Sequence, residues 1–208
     1  LNFTCYAVGM AIEKNPDAAI AMHRAGHELA SHGWRWIEHF KLSEREEREH
    51  IAKAVASLTK MFGAPPPGWY CRTGPSLNTR RLLVEHGGFL YDSDAYNDEL
   101  PYWTEVEGQD HLVLPYSLTH NDSKFGRGYF AHGDDFFTFV RDGFGMLYGE
   151  GLNQPKMMSI GLHMRLMGHP ARAAGLARLL DHITAHDDVW ITSRLAIAEH
   201  WRRLHPAK

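Results

Sequence analysis

Cysteine is scarce in this chain: 208 residues contain two, Cys5 and Cys71. A pair without CxxC spacing cannot build a disulfide framework, so free thiols in a reducing compartment, and with them a cytoplasmic location, are the expectation. A basic excess is missing as well. Lys and Arg number 22 against 25 Asp and Glu, a net charge of −3, which leaves no cationic surface to hold a phosphate backbone and no reason to expect a nucleic-acid partner. Apolar runs such as Phe136 to Val140 fall far short of the ~20 residues of a membrane helix, so no membrane span is expected. There is no internal repeat and no low-complexity tract, which removes solenoid and disordered readings. An initiator Met is also lacking: Leu1 leads directly into the apolar segment Leu1-Asn-Phe-Thr-Cys-Tyr-Ala-Val-Gly9. We therefore expect one catalytic domain over 1–208 that is incomplete at its N-terminus.

What is present is an alternation of strand-length apolar runs with helical patterns, the mark of a βα-repeating fold with a parallel sheet. The predicted strands are Phe3 to Ala7, Glu28 to Ser31, Trp69 to Arg72, Phe89 to Ser93, Leu112 to Leu114, Met157 to His163 and Val189 to Thr192. Their spacing averages about thirty residues, as a βαβ unit requires. Ser43-Glu-Arg-Glu46 reads as a capping box opening a helix to about Phe62, stopped by Gly63 and Pro65 to Pro67. Further helices are predicted from about Asp134 to Tyr148, after Pro170 with Leu176, Leu179, Leu180 and Ile183 as its apolar face, and from about Arg194 to Leu204.

In α/β folds chemistry gathers at the carboxyl ends of strands. The polar residues there are His32, Arg72, Asp92, Asp94 and His163. Each has a plainer reading beside the functional one. His27 fits a structural role better than a catalytic one, and His32 fits either. Arg72 serves equally as a substrate clamp or as an ion-pair partner of Asp92 or Asp94. Tyr96, Tyr102 and Trp103, beside Asn97, Asp98 and Pro101, read as a shaped loop over a pocket. The pairs Asp134-Asp135 and Asp187-Asp188 sit where carboxylates cap backbone N–H groups and are not catalytic candidates.

Gly26-His-Glu-Leu-Ala-Ser-His-Gly-Trp-Arg-Trp36 resembles a signature of the polysaccharide deacetylase family, in which Gly-His-Glu precedes a strand ending in His-Ser/Thr-x-x-His. Three further segments match in order: Arg72-Thr-Gly-Pro75, Tyr91-Asp-Ser-Asp94 and Gly161-Leu-His163. The stretches Ala95 to Trp103, Thr119 to Phe125, Lys156 to Arg165 and Gly168 to Arg172 are similar to the family's branch of allantoinases and cyclic-imide hydrolases. The resemblance implies an α/β fold, a distorted (β/α) barrel of the polysaccharide deacetylase type, with the first strand and its Asp pair upstream of Leu1. In the family the two signature histidines bind zinc. His32 matches the first, but Trp36 falls at the second, and an indole N–H has no lone pair to give a metal.

The resemblance thus implies hydrolysis of a C–N bond in a small cyclic amide or ureide, with no cofactor and no metal. His163 would be the general acid/base, His32 would orient or deprotonate the water, and Arg72 would steady a carbonyl, a carboxyl or an acidic partner. Trp34, Trp36, Asp94, Tyr96, Asn97 and Arg165 are the substrate-binding candidates, and the protein is expected to be a homo-oligomer. One alternative is a zinc-dependent N-deacetylase of chitin or peptidoglycan type, with His32 as a ligand. Another is a noncatalytic module that binds a sugar or ring.

Overall fold

The computed structural model describes Leu1–Ala207. In chain order its strands and α-helices are β1 (Thr4–Ala7), α1 (Gly9–Lys14), α2 (Pro16–Arg24), β2 (Glu28–Ser31), α3 (Glu44–Phe62), β3 (Gly68–Trp69), α4 (Thr79–His86), β4 (Tyr91–Asp92), β5 (Tyr102–Val106), β6 (Gln109–Val113), α5 (Gly133–Gly151), α6 (Met164–Met167), α7 (Pro170–Thr184) and α8 (Arg194–Leu204). The chain divides into two compact units. The first comprises Leu1–Ala95, Pro101–Pro115 and the residues from Ile191 on; the second comprises Tyr96–Leu100 and Tyr116–Trp190.

The first unit carries one six-stranded sheet in the order β1-β2-β3-β4-β6-β5, parallel except for the final β5–β6 pair. The register runs from Thr4 opposite Glu28 to Ala7 opposite Ser31, which sets His32 just past the end of β2. α3 forms as its sequence signals: Ser43 accepts from the Glu46 N–H, the Glu46 carboxylate accepts from the Ser43 N–H, and Gly63 ends the helix at φ 79°. Its inward stripe of Ile51, Ala54 and Leu58 is buried. Ile51 and Ala54 join Trp69, Cys71, Leu82 and Leu83 in one apolar cluster, whereas Tyr91, Leu112, Leu114 and Ala198 of α8 form another. Each such large side chain taken out of water stabilises the fold by about 1.5–3 kcal/mol before conformational entropy is counted.

In the second unit, α5 packs against α7. Pro170 opens α7 where its missing N–H costs nothing, and Leu179 and Ile183 are buried as the apolar face predicts. Phe136 of α5 stacks on Phe125, and Phe130 meets both edge-on.

Several boundaries differ from the sequence reading. Trp69–Arg72 shortens to Gly68–Trp69, and Phe89–Ser93 shortens to Tyr91–Asp92. Met157–His163 makes a single bridge, Gly161 to Asn121, because no neighbouring segment runs beside it for longer. Val189–Thr192 has no strand pairing among the described residues. Tyr102 and Trp103, read as loop, lie in β5, joined to β6 by a two-residue turn with Glu107 at φ 51° and Gly108 at φ 73°. Positive φ at both positions is the geometry that lets a tight hairpin follow the strands' twist. Trp103 is anchored there by donating its indole N–H to the His205 carbonyl at 2.7 Å.

Candidate active site

In the first unit, the loop after β2 brings His32, Trp36 and Arg72 together. His32 Nδ1 lies 2.5 Å from the Tyr70 carbonyl oxygen. A carbonyl only accepts, so the ring hydrogen sits on Nδ1 and Nε2 keeps a lone pair. The Trp36 indole N–H points at that lone pair, 3.3 Å away. Arg72 lays its guanidinium over the Trp36 ring, 4.3 Å from the ring centre, and donates to the Trp36 carbonyl at 3.3 Å and to Glu38 at 3.2 Å. A planar cation stacked on an indole and held by two oxygens is a rigid edge, and Arg suits it better than Lys.

The ion pair considered between Arg72 and Asp92 or Asp94 is not formed. Asp92 is taken by Arg80, at 2.7 and 3.1 Å, and by His111 at 2.9 Å. Burial pushes the Asp92 carboxyl up, but its bonds to His111 and Arg80 outweigh that and hold it below the usual range. Asp94 goes the other way. It is 8% exposed, its Oδ1 accepts from the Cys71 N–H at 2.8 Å, and its Oδ2 is buried without a hydrogen-bond partner. Desolvation, with the Asp92 charge added, pushes it up to about 8, so it is neutral near pH 7. Asp94 therefore spends its carboxyl on the backbone inside the core, not on an exposed binding face. Trp34 is half-buried against the Ile51–Leu83 cluster, whereas Trp36 is 42% exposed and is the ring available to a ligand. His27 stacks on Phe3 at 3.8 Å, a packing role.

The second unit holds His163 at the N-terminus of α6. Asp122, which the sequence reading passed over, is fully buried and grips it twice. Its Oδ1 is 2.5 Å from His163 Nδ1, and its Oδ2 accepts the His163 backbone N–H at 2.7 Å. The carboxylate accepts the Nδ1 hydrogen, which fixes the tautomer and leaves Nε2 outward. The segment is seated by Gly161, where a Cβ would come within 2.2 Å of the Tyr116 hydroxyl and 2.3 Å of Asn121 Nδ2, so any larger residue would displace those two side chains. Asn121 in turn accepts from the Ser123 N–H, which places Asp122. Asp122 lies in the stretch Thr119 to Phe125 already noted for its resemblance. Nothing local, however, marked it as the partner of a histidine 41 positions on. Tyr96 is 43% exposed and meets Tyr116 edge-on at 6.5 Å, and Asn97 and Arg165 are exposed.

The residues present do not fit the zinc of the alternative reading. His32 Nε2, the nitrogen that would face an ion, is engaged by an N–H, and among the described residues no group of three His, Cys, Asp or Glu stands close enough to hold one. Asp134 and Asp135 are spent elsewhere: Asp135 accepts from the Ala131 and His132 N–H groups at the start of α5, and Asp134 pairs with Arg178.

A parallel-dominated α/β unit with His32 just past a strand end, and a second unit whose His163 is backed by a buried carboxylate, are what a hydrolase of the deacetylase class requires. The comparisons agree. The polysaccharide deacetylase family model matches residues 1–89. A Schizosaccharomyces pombe protein provisionally named a polysaccharide deacetylase is 43% identical over 225 residues, covering 99% of this chain and 70% of its own length. Two solved structures match at 48% identity, each covering 100% of this chain and 70% of the other: the PuuE allantoinase, at a TM-score of 0.96, and a Pseudomonas aeruginosa PAO1 protein also provisionally named a polysaccharide deacetylase, at 0.95. The chain belongs to the polysaccharide deacetylase family and shares the fold of these proteins.

Proposed function

We propose that this chain hydrolyses a C–N bond of a small cyclic amide, a ureide such as allantoin or a cyclic imide, without a metal. The observation that carries the reading is the Trp36 N–H directed at His32 Nε2. In that arrangement the imidazole accepts hydrogen bonds and cannot also give its lone pair to an ion. The 48% identity to an allantoinase supports the same class of substrate. In this reading His163, held by Asp122, protonates the leaving ring nitrogen, and His32 orients the attacking water. The Trp36 ring and the Arg72 guanidinium offer a flat surface and positive charge to a planar substrate. Two free thiols suit a protein of the reducing cytoplasm. Among the described residues no helix is long and apolar enough to cross a membrane.

The rival reading is zinc-dependent deacetylation of an N-acetylated sugar, and it draws on the names carried by the fungal and Pseudomonas relatives. One set of measurements separates the two. The full-length protein, purified without added metal, is analysed for zinc and assayed on allantoin, succinimide and an N-acetylglucosamine oligomer, with and without chelator. We expect substoichiometric metal and chelator-resistant turnover of a ring substrate. Stoichiometric zinc, with sugar deacetylation lost to chelator and restored by zinc, would transfer the protein to the rival reading.

A further inference from the structure

Glu47 of α3 and the three side chains that donate to it, His39, Ser76 and Thr79, have no part in the proposed ring chemistry, and together they join the loop carrying His32 and Trp36 to the segment that follows Arg72. Glu47 occupies the inward stripe of α3, one turn before Ile51, where an apolar side chain would be ordinary. It is 0% exposed. Its Oε1 accepts from His39 Nδ1 at 3.1 Å and from the Thr79 hydroxyl at 2.5 Å, and its Oε2 accepts from the Ser76 hydroxyl at 2.5 Å. Burial pushes the Glu47 carboxyl up, but these three donors outweigh it and hold it below the usual range, so it is a charged hub.

Each donor belongs to one of the two loops. His39 follows Trp36 by three residues and is itself 1% exposed, edge-on to Trp69 at 5.4 Å. Its Nε2 lies against Gly33, the residue after His32: at φ +83° that position favours glycine, and a Cβ there would sit 2.9 Å from the nitrogen. On the other side, the Ser76 hydroxyl accepts from the Asn78 and Thr79 N–H groups, and the Thr79 hydroxyl accepts from the Ser76 N–H at 2.8 Å. These bonds close the loop that begins at Arg72. The same loop holds Thr73 at φ 62°, a conformation that persists only where the surroundings enforce it. A buried charge hub is a poor way to stabilise a core, since apolar residues of similar volume often do as well or better. What it supplies is a fixed relation among its partners.

We infer that Glu47 is a positioning residue that locks the His32–Trp36 loop to the Arg72 loop, so that imidazole, indole and guanidinium are presented as one rigid surface. The inference rests on the proposed function for the role of that surface, while the lock itself involves groups with no part in the chemistry. Its test therefore has a readout that needs no substrate. In full-length protein with ¹⁵N-labelled tryptophan, the Trp36 indole N–H resonance, identified by its loss in Trp36→Phe, reports the bond to His32. Glu47→Gln and the double variant Ser76→Ala/Thr79→Val should each displace or broaden that resonance. In the same variants kcat/KM on allantoin or succinimide should fall about tenfold to a hundredfold, the scale of a misplaced binding surface. The control is Glu28→Gln. Glu28 is also buried and accepts from Thr4, Tyr91 and the Leu195 N–H, a network that joins strands to α8. It should lower the melting temperature at least as much while leaving the Trp36 resonance in place. A wild-type Trp36 resonance in Glu47→Gln or in the double variant overturns the lock, as does equal displacement in Glu28→Gln. Displacement of the resonance in a protein that turns over no ring substrate retains the lock and removes the proposed function instead.

Discussion

His32 and His163 each follow a short extended segment, and each holds its Nδ1 2.5 Å from an oxygen, but the two oxygens differ in charge. His32 faces the carbonyl of Tyr70, a neutral acceptor that orients the ring. His163 faces the buried carboxylate of Asp122, which also holds the backbone N–H of the same residue. The outward nitrogens differ as well, because the Trp36 N–H meets the His32 lone pair. In the proposed reaction His32 is thus the acceptor within an aromatic, cationic cluster, and His163 the proton carrier. Residue type alone made them equivalent; the group behind each ring distinguishes them.

The largest expected effect tests the proton carrier. His163→Ala should cost about 10²–10⁴-fold in kcat, the usual worth of a positioned general acid, with little change in melting temperature since the side chain is partly exposed. Asp122→Asn keeps the shape but replaces the charge with an amide, and it should lose much of the same factor. Normal turnover in either folded variant would reverse the assignment. If His32→Ala proved the more damaging of the two histidine changes, the roles would have to be exchanged.

A smaller effect tests the acceptor. Trp36→Phe keeps a smaller ring for Arg72 to cover and removes the N–H, a bond of about 1 kcal/mol, so ring hydrolysis should fall severalfold. Trp36→His exchanges an N–H for a nitrogen lone pair beside His32. Zinc affinity, measured by titration of the purified variant, should rise while ring hydrolysis falls. Unchanged zinc affinity would mean that the indole is not what keeps an ion away.

How much of this was legible in the sequence depended on how far each partner lay along the chain. The α3 capping box, the Gly63 stop, the Pro170 start and β2 with its terminal His32 all depend on residues a few positions apart, and all are found where they were read. The β5–β6 hairpin was missed although Gly108 marks its turn, because the aromatic and proline-rich run before it looked like loop. Of the two roles open to Arg72, the ion pair with Asp92 or Asp94 is not the one found, because Arg80, set by the start of α4 at Thr79, takes Asp92. Asp122 and Glu47 were invisible for the same reason. A buried carboxylate is defined by donors that arrive from 41 positions away in one case and up to 32 in the other. The Met157–His163 segment shows the converse error: its apolar pattern is that of a strand, but a strand needs a neighbour to pair with, and it finds one bridge.

The smallest effect on turnover is expected at Asp94, which sharpens the contrast from a third side, as a carboxylic acid kept neutral by its surroundings. An ordinary aspartic carboxyl titrates near 3.8, and in the folded chain burial and the Asp92 charge push Asp94 up to about 8. Between those values the folded protein holds one proton more than the unfolded chain. The stability this contributes is fully present below about pH 4 and is lost as pH rises through 8, at about 1.4 kcal/mol per pH unit at most. Asp94→Asn retains an oxygen to accept the Cys71 N–H and cannot ionise, so it removes that slope. Melting temperatures measured from pH 5 to 9 should fall for the wild type up to about pH 8 and level off beyond it, whereas the Asn variant should stay flatter throughout. Asp92 supplies the opposing control. Its carboxyl is held low by His111 and Arg80, so Asp92→Asn should cost stability most at neutral and alkaline pH, where the native charge pair is fully formed, and less as pH falls below 4. Parallel pH curves for wild type and Asp94→Asn would show that Asp94 is ionised in the folded protein, and its buried, unpartnered Oδ2 would then have to be facing an unrecognised positive group.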